Sequence, residues 1–480
     1  MKTYKYIIMY ACATVLLTAG CAAEGDAPAA VTPDAAEAVS FATDLGDGDA
    51  TARDGETTRA YKGTINNLAA LKAVPEGFGV FGYLTDGSLY DTKFPDAASY
   101  TSFADYFMQN QQVTWGVQWV ENADDANDEN DVIHRDWVYA PLKYWPNSTN
   151  NATPRYISFF AYAPYVAEAG GESGVVNFTR SDDRTPHVHY KIGGGNEQVD
   201  LLWANCMNAT RNGKGLITMT TTGSPATTTL EYQKVPLQFH HALAAIDVYV
   251  QRVYDEPAYT GKKPDTEQNT KLFVGKLELT SESPAEGDNA LQTSGKLSLI
   301  DGTWSSDGTW KTSADPDVTI TYSEGMFNDT IQGTTSANEA YIRSAELDKW
   351  GTDIYGVDEN ETYLMRNQAT QMLLPRRVTL VPTLTYSMVT RDDDLMINYL
   401  TDSDGHRYSR IVNTVEGNSV TLDLVAGKRY TLLIRIGVEH VTFEVVSVVD
   451  WDFPMRYTPK IITDFEPETV GKKLDEDEGK

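Results

Sequence analysis

Few groups of residues in this 480-residue chain have the types and spacing that chemistry requires. The nearest to a metal site is Asp125, Asn127, Glu129, Asp131 and Asp136, an alternation of oxygen ligands close to that of a calcium loop. That loop needs a glycine at its sixth place for the sharp turn and a bidentate glutamate at its last, where this chain has Asn130 and Asp136. A solvated acidic loop is therefore expected. His187 and His189 fall on one face of a strand and could share a metal, but no third ligand accompanies them, so an ordinary strand pair is expected. Gly193-Gly194-Gly195 lacks the Lys-Ser/Thr ending of a phosphate loop, and no Gly-x-Ser-x-Gly elbow occurs. Carboxylates are numerous, yet none pairs in a defined glycosidase frame. Trp115 and Trp119 could stack on sugars, but their alternation with polar neighbours suits a core. The expectation is a protein that is not an enzyme, with no catalytic residue, no metal and no cofactor.

The chemistry that the sequence does support lies in Met1–Tyr61. Lys2 and Lys5 precede an apolar run from Tyr6 to Leu17 and then Ala19-Gly20-Cys21. A charged start, about a dozen apolar residues and small residues make an export signal, and the run is too short to span a bilayer. Small residues before a cysteine resemble the lipobox of bacterial lipoproteins, although Thr18 stands where Leu is usual. The resemblance implies removal of residues 1–20 and lipidation of Cys21, hence an outer-membrane anchor; ordinary cleavage near Ala19 or Ala23 is the alternative. The small, acidic run Ala22-Ala23-Glu24-Gly25-Asp26 resembles the surface-export signals of Bacteroides-type bacteria. A leader of residues 21–59 follows, rich in Ala, Asp, Gly, Thr and Pro, with one strand-like alternation, Ala38–Thr43. Arg53 and Arg59 then sit in polar, turn-like surroundings open to a protease.

Charge and cysteines narrow the remaining classes. The net charge of −29 becomes about −31 once Lys2 and Lys5 leave with the signal. A phosphate backbone demands a basic face, so nucleic acid is not an expected partner, nor is an anionic lipid surface held by charge. Of three cysteines, Cys12 lies in the signal and Cys21 at its end, which leaves Cys206 with no disulfide partner. Stability must then come from buried sheet faces. The length beyond the leader is too great for one ordinary core, so two domains are expected, residues 60–234 and 235–457, before a polar acidic tail, residues 458–480.

The periodicity is that of strands. Asn66–Ala73 reads as a short helix stopped by Pro75. Phe78–Leu84 reads as a strand running into the turn Thr85-Asp86-Gly87-Ser88. Val113, Trp115, Val117 and Trp119 alternate as one buried face, while Tyr156–Tyr162 is apolar on both faces, as in a covered central strand. Val235–Val250 fits a helical period at first and a strand period later; Pro236 and the β-branched end favour a strand with a phase slip. Further strands are expected at Leu272–Thr280, Gly295–Ile300, Met372–Leu374, Val378–Met388, Val420–Leu424, Tyr430–Ile436 and Val441–Val449, with one capped helix at Ser336–Trp350. The fold class is all-β, antiparallel sandwiches with few short helices.

The order of short phrases identifies a family. Gly77-Phe78-Gly79-Val80-Phe81-Gly82-Tyr83 is followed by Tyr144-Trp145-Pro146-Asn147, Ile157–Pro164, Leu201-Leu202-Trp203-Ala204, Val235–Leu243, Gly427-Lys428-Arg429-Tyr430 and Val449-Asp450-Trp451. This resembles the Bacteroides-type fimbrillin-like lipoproteins, subunits of type V pili, over about residues 60 to 452. The resemblance implies two transthyretin-like β-sandwich domains and a place in a cell-surface fimbrium. It implies a lipidated precursor cut after an arginine, Arg59 or else Arg53, and assembly with other pilus subunits by exchange of a β-strand. The removed prosegment would include Ala38–Thr43, covering a sheet edge that is otherwise a template for another strand. Host or bacterial surface ligands are then expected partners, and His240-His241, where the family tends to have a histidine, are expected to be structural. A surface carbohydrate-binding lipoprotein of similar build is the alternative.

Overall fold

The computed structural model describes residues 38–45, 64–86, 89–90, 107–121, 132–146, 155–179, 185–193, 198–212, 215–220, 231–252, 270–281, 291–305, 320–323, 363–364, 370–401, 404–436 and 441–451. Cys21, Arg53, Arg59, the acidic loop from Asp125 to Asp131, the expected helix Ser336–Trp350 and the acidic tail lie outside the described residues.

In chain order the first elements are β1 (Phe41–Asp44), α1 (Leu68–Ala73), β2 (Phe78–Asp86), β3 (Met108–Glu121), β4 (Val132–Val138), β5 (Arg155–Ala163), β6 (Gly174–Phe178), β7 (His187–Lys191), β8 (Leu202–Arg211), β9 (Ile217–Met219), β10 (Val235–Gln238) and β11 (His240–His241). Then follow β12 (Ala244–Arg252), β13 (Thr270–Ser281), β14 (Ser294–Ser298), β15 (Trp304–Ser305), β16 (Ile320–Ser323), β17 (Tyr363–Leu364), β18 (Gln371–Leu373) and β19 (Arg377–Arg391). The last are β20 (Leu400–Thr401), β21 (Arg407–Glu416), β22 (Val420–Asp423), β23 (Lys428–Ile436) and β24 (Val441–Asp450). The chain is all-β, with one short helix among the described residues. Asn67 caps that helix by accepting from the Ala70 N–H at 2.8 Å, and Pro75 follows its end.

The strands form sandwich-like layers. A seven-stranded sheet runs β11-β8-β5-β2-β3-β4, with β9 beside β8. A four-stranded sheet, β15-β14-β7-β6, takes strands from both halves of the sequence. Two further sheets, β17-β12-β23-β24 with β18 and β16-β13-β19-β21-β20 with β22, face each other over a core that includes Ile246, Leu277, Leu384 and Leu432. The two faces of β5 show why its sequence is apolar throughout. Ile157, Phe159, Ala161 and Ala163 enter one core, and Phe160 and Tyr162 enter another against Tyr190 and Leu297.

Three expectations need correction. Thr85-Asp86-Gly87-Ser88 does not lead straight into a partner strand: β2 pairs with β3, which begins only at Met108, and with β5, while Gly87 and Ser88 lie outside the described residues. The face through Val113, Trp115, Val117 and Trp119 is not uniformly buried: a register shift between Val117 and Trp119 leaves Val117 41% exposed. Val235–Val250 is strand rather than helix, as expected, but its phase slip is two breaks, at Phe239 and at Ala242-Leu243, giving β10, β11 and β12 to three different sheets. The turn before β23 needs its glycine: Gly427 has φ +71, a region where a side chain is strained, and its N–H donates to the Leu243 carbonyl at 2.9 Å.

Candidate functional site: a leader strand in an apolar groove

The leader alternation becomes β1, and its inward residues belong to the core. Val39, Phe41 and Leu45 are at most 2% exposed, whereas Ala42 and Asp44 face outwards. Phe41 sits among three aromatic rings. Phe159 lies 5.6 Å and Phe78 6.1 Å from it, both edge-on, and Tyr139 is 5.9 Å away. Burying three apolar side chains stabilises by about 5–9 kcal/mol. That is comparable to the whole stability of a domain, so β1 is part of the core and not a tether lying on it.

Hydrogen bonds hold both sides of this strand. β1 runs parallel to β10, with Phe41 opposite Val235 and Asp44 opposite Gln238. The Val235 N–H donates to the Ser40 carbonyl and the Phe239 N–H to the Asp44 carbonyl, each at 2.8 Å. On the other side the Val39 N–H donates to the Lys143 carbonyl, and the Tyr139 hydroxyl donates to the Val39 carbonyl, again at 2.8 Å. Burial pushes the Tyr139 hydroxyl up to about 12, so it keeps its proton and remains a donor at neutral pH. The Trp137 indole N–H donates to the Thr43 hydroxyl at 2.8 Å. At the groove wall, Lys234, just before β10, pairs with the carboxylate of Asp136 on β4, which also accepts from the Trp137 N–H. Asp136 is therefore a wall residue bound to a lysine.

A second cluster fixes the chain just downstream of the leader. The buried Asp200 carboxylate accepts from the Ile65 N–H at 2.9 Å and lies 3.1 Å from the Nδ1 of His241. Trp451 stacks flat on His241, with ring centres 4.3 Å apart, and its indole N–H donates to the Asn66 side chain at 3.1 Å. Arg429 lies 5.8 Å from the Trp451 ring centre and donates to Asp247 at 3.0 Å; the Thr370 hydroxyl donates to the same carboxylate. Residues far apart in sequence thus meet in one buried polar joint. His241 belongs to it, while the exposed His240 packs on Trp203. Arg429 stands in the family phrase Gly427–Tyr430, but the sequence assigns it no role, and none to Asp200 or Asp247. The available signal was a charge inside an apolar strand run, as in Ile246-Asp247-Val248.

The other candidates stay apart. His187 and His189 lie with their rings 5.2 Å apart on β7, and His187 Nδ1 is 2.7 Å from the Thr185 carbonyl oxygen. Among the described residues no three His, Cys, Asp or Glu side chains gather as metal ligands. Cys206 is buried, and burial pushes its thiol up to about 12, which keeps it from acting as a thiolate. Trp115 packs against Trp137 with the Lys72 ammonium 4.2 Å from its ring centre.

The family model for fimbrillin-like proteins matches residues 58–451. The chain belongs to the fimbrillin-like family. Its fold is shared with a solved fimbrial protein from Bacteroides vulgatus at a TM-score of 0.51 and 18% identity, over 86% of this chain and 99% of that one. Candidate cell adhesion proteins from Bacteroides ovatus (10% identity, TM-score 0.32, covering 86% and 97%) and Bacteroides uniformis (12%, 0.29, covering 79% and 94%) are more distant. No curated protein matches the sequence. In this fimbrillin-like chain β1 lies N-terminal to the family match, yet it fills the core of the first sheet.

Proposed function

We propose that this fimbrillin-like chain is a structural or adhesive subunit of a cell-surface pilus. It is exported as a lipoprotein precursor, lipidated at Cys21 and held at the outer membrane. Proteolysis at Arg59, or otherwise Arg53, frees the prosegment that carries β1, and a strand from another subunit takes its place. The pilus then presents the subunit to host or bacterial surface ligands. Residues 60–234 and 235–457 serve as its two transthyretin-like units.

One observation carries this reading: β1 is a short strand whose inward phenylalanine and apolar flanks are buried, joined to the rest of the fold through a stretch that contains both arginines. Cutting there leaves β1 held only by noncovalent contacts, and its departure bares Phe78, Phe159, Trp137 and Leu237. An apolar trough bordered by the unpaired backbone of β10 is a template for another strand. The uncut leader prevents that pairing until the subunit is at the surface.

Cells expressing Arg59→Ala, Arg53→Ala or both test the release. Surface polymer should fall by tenfold or more in the variant that removes the cutting site and in the double variant, with export of the chain unchanged. Wild-type polymer in the double variant contradicts activation by cleavage here.

A further inference from the structure

The aromatic slot around Phe41 sets part of the register in this groove, and a polar contact sets the rest. Successive inward positions of a strand are two residues apart, so a strand that slips by two keeps the same face towards the core. Val39, Phe41, Thr43 and Leu45 occupy the four inward places along β1 and its flanks; the three apolar ones are buried and Thr43 is half-buried. Pairing of β1 with β10 involves backbone only and accepts any residue. The exception is the Trp137 indole, whose N–H ends on the Thr43 hydroxyl while the residue is 5% exposed. A slip of two residues in either direction would bring Phe41 or Leu45 to that donor, and neither can accept.

We propose that Trp137 sets the register of whatever strand occupies the groove by requiring a Ser or Thr at the place Thr43 holds. The proposal rests on the reading that β1 is exchanged, and it names the chemistry of the replacement. The incoming strand runs parallel to β10, with an aliphatic residue first, an aromatic third, a hydroxyl fifth and an aliphatic seventh. The aromatic enters the slot formed by Phe78, Phe159 and Tyr139; the hydroxyl satisfies a buried donor that would otherwise lose its hydrogen bond to water without replacement. A site built around such a donor rejects a ligand that lacks the acceptor more strongly than an apolar slot rejects a missing methyl group. Trp137 is thus a specificity-determining residue, distinct from the apolar lining that supplies the affinity.

Fluorescent heptapeptides with the sequence of residues 39–45, carrying Thr, Ser or Val at the fifth position, test this on the full chain cut at a site-specific protease sequence introduced in place of residues 56–59. The Thr and Ser peptides should bind alike and the Val peptide about tenfold more weakly, and Trp137→Phe should abolish that difference. Equal binding of Thr and Val peptides by the unaltered groove, or discrimination that persists in Trp137→Phe, overturns the assignment. If no peptide enters the cut chain, strand exchange itself fails. The register claim is then decided in the uncut chain, where Thr43→Val and Trp137→Phe must be non-additive in the unfolding midpoint; additive effects overturn it.

Discussion

Replacing Phe41 by alanine is expected to destabilise the full chain by about 3–5 kcal/mol, the range for a fully buried phenylalanine. The side chain is 0% exposed and touches rings from β2, β5 and the segment after β4, so three independent walls would lose contacts at once. β2 and β5 are paired in one sheet and cannot collapse inward by the width of a ring, which leaves a cavity. Ala42→Ser, at the neighbouring outward position, is the matched control and should stay within about 0.5 kcal/mol. Denaturant unfolding measures both, and hydrogen exchange at the Phe239 N–H, which donates to Asp44, should rise in Phe41→Ala alone. A Phe41→Ala chain as stable as the parent would mean that the leader does not contribute to the folded core.

The second large effect is at the polar joint. Arg429→Ala should cost about 3–5 kcal/mol, because it strands a buried carboxylate. The Arg429 and Asp247 side chains are 9% and 5% exposed, so solvent screens neither, and among the described side chains Thr370 would remain to satisfy Asp247. Removing both charges is a different experiment. Arg429→Met combined with Asp247→Leu should recover most of the loss, since apolar residues of similar volume often replace a buried ion pair without penalty. Loss of less than about 1 kcal/mol in Arg429→Ala, measured by the same unfolding transition, would contradict the buried pairing.

Much of this was legible in the sequence, for physical reasons that also explain the gaps. The clean alternation Tyr430, Leu432, Ile434 reads as a strand, and β23 spans it with those side chains in one core. The double-sided apolar run at Tyr156–Tyr162 reads as a covered central strand, and β5 is buried on both faces. The leader alternation gives a strand shifted by a few residues from the expected range, with Ala38 bridged to Tyr144 ahead of it. By contrast, β21 has polar residues on both faces and carries little periodic signal, so no strand was expected there. Partnership was least legible. Nothing in local pattern says that β1 lies parallel to β10, that β14 joins β7, or that Asn66 meets Trp451 across 385 positions. Alternation reports which way a side chain faces, whereas pairing is set by the packing of the whole chain. The release site is a further step: composition and family resemblance point to Arg53 and Arg59, outside the described residues, while the strand they would release is visible in atomic contacts.

The most direct test of the central claim is the N-terminal residue of the chain extracted from surface polymer, read by mass spectrometry. Exchange of the leader strand predicts a chain that begins at Ala60, or at Asp54 if Arg53 is the site, with residues 38–45 absent from the polymer. Assembled chains that still begin at lipidated Cys21 and retain Phe41 would contradict it.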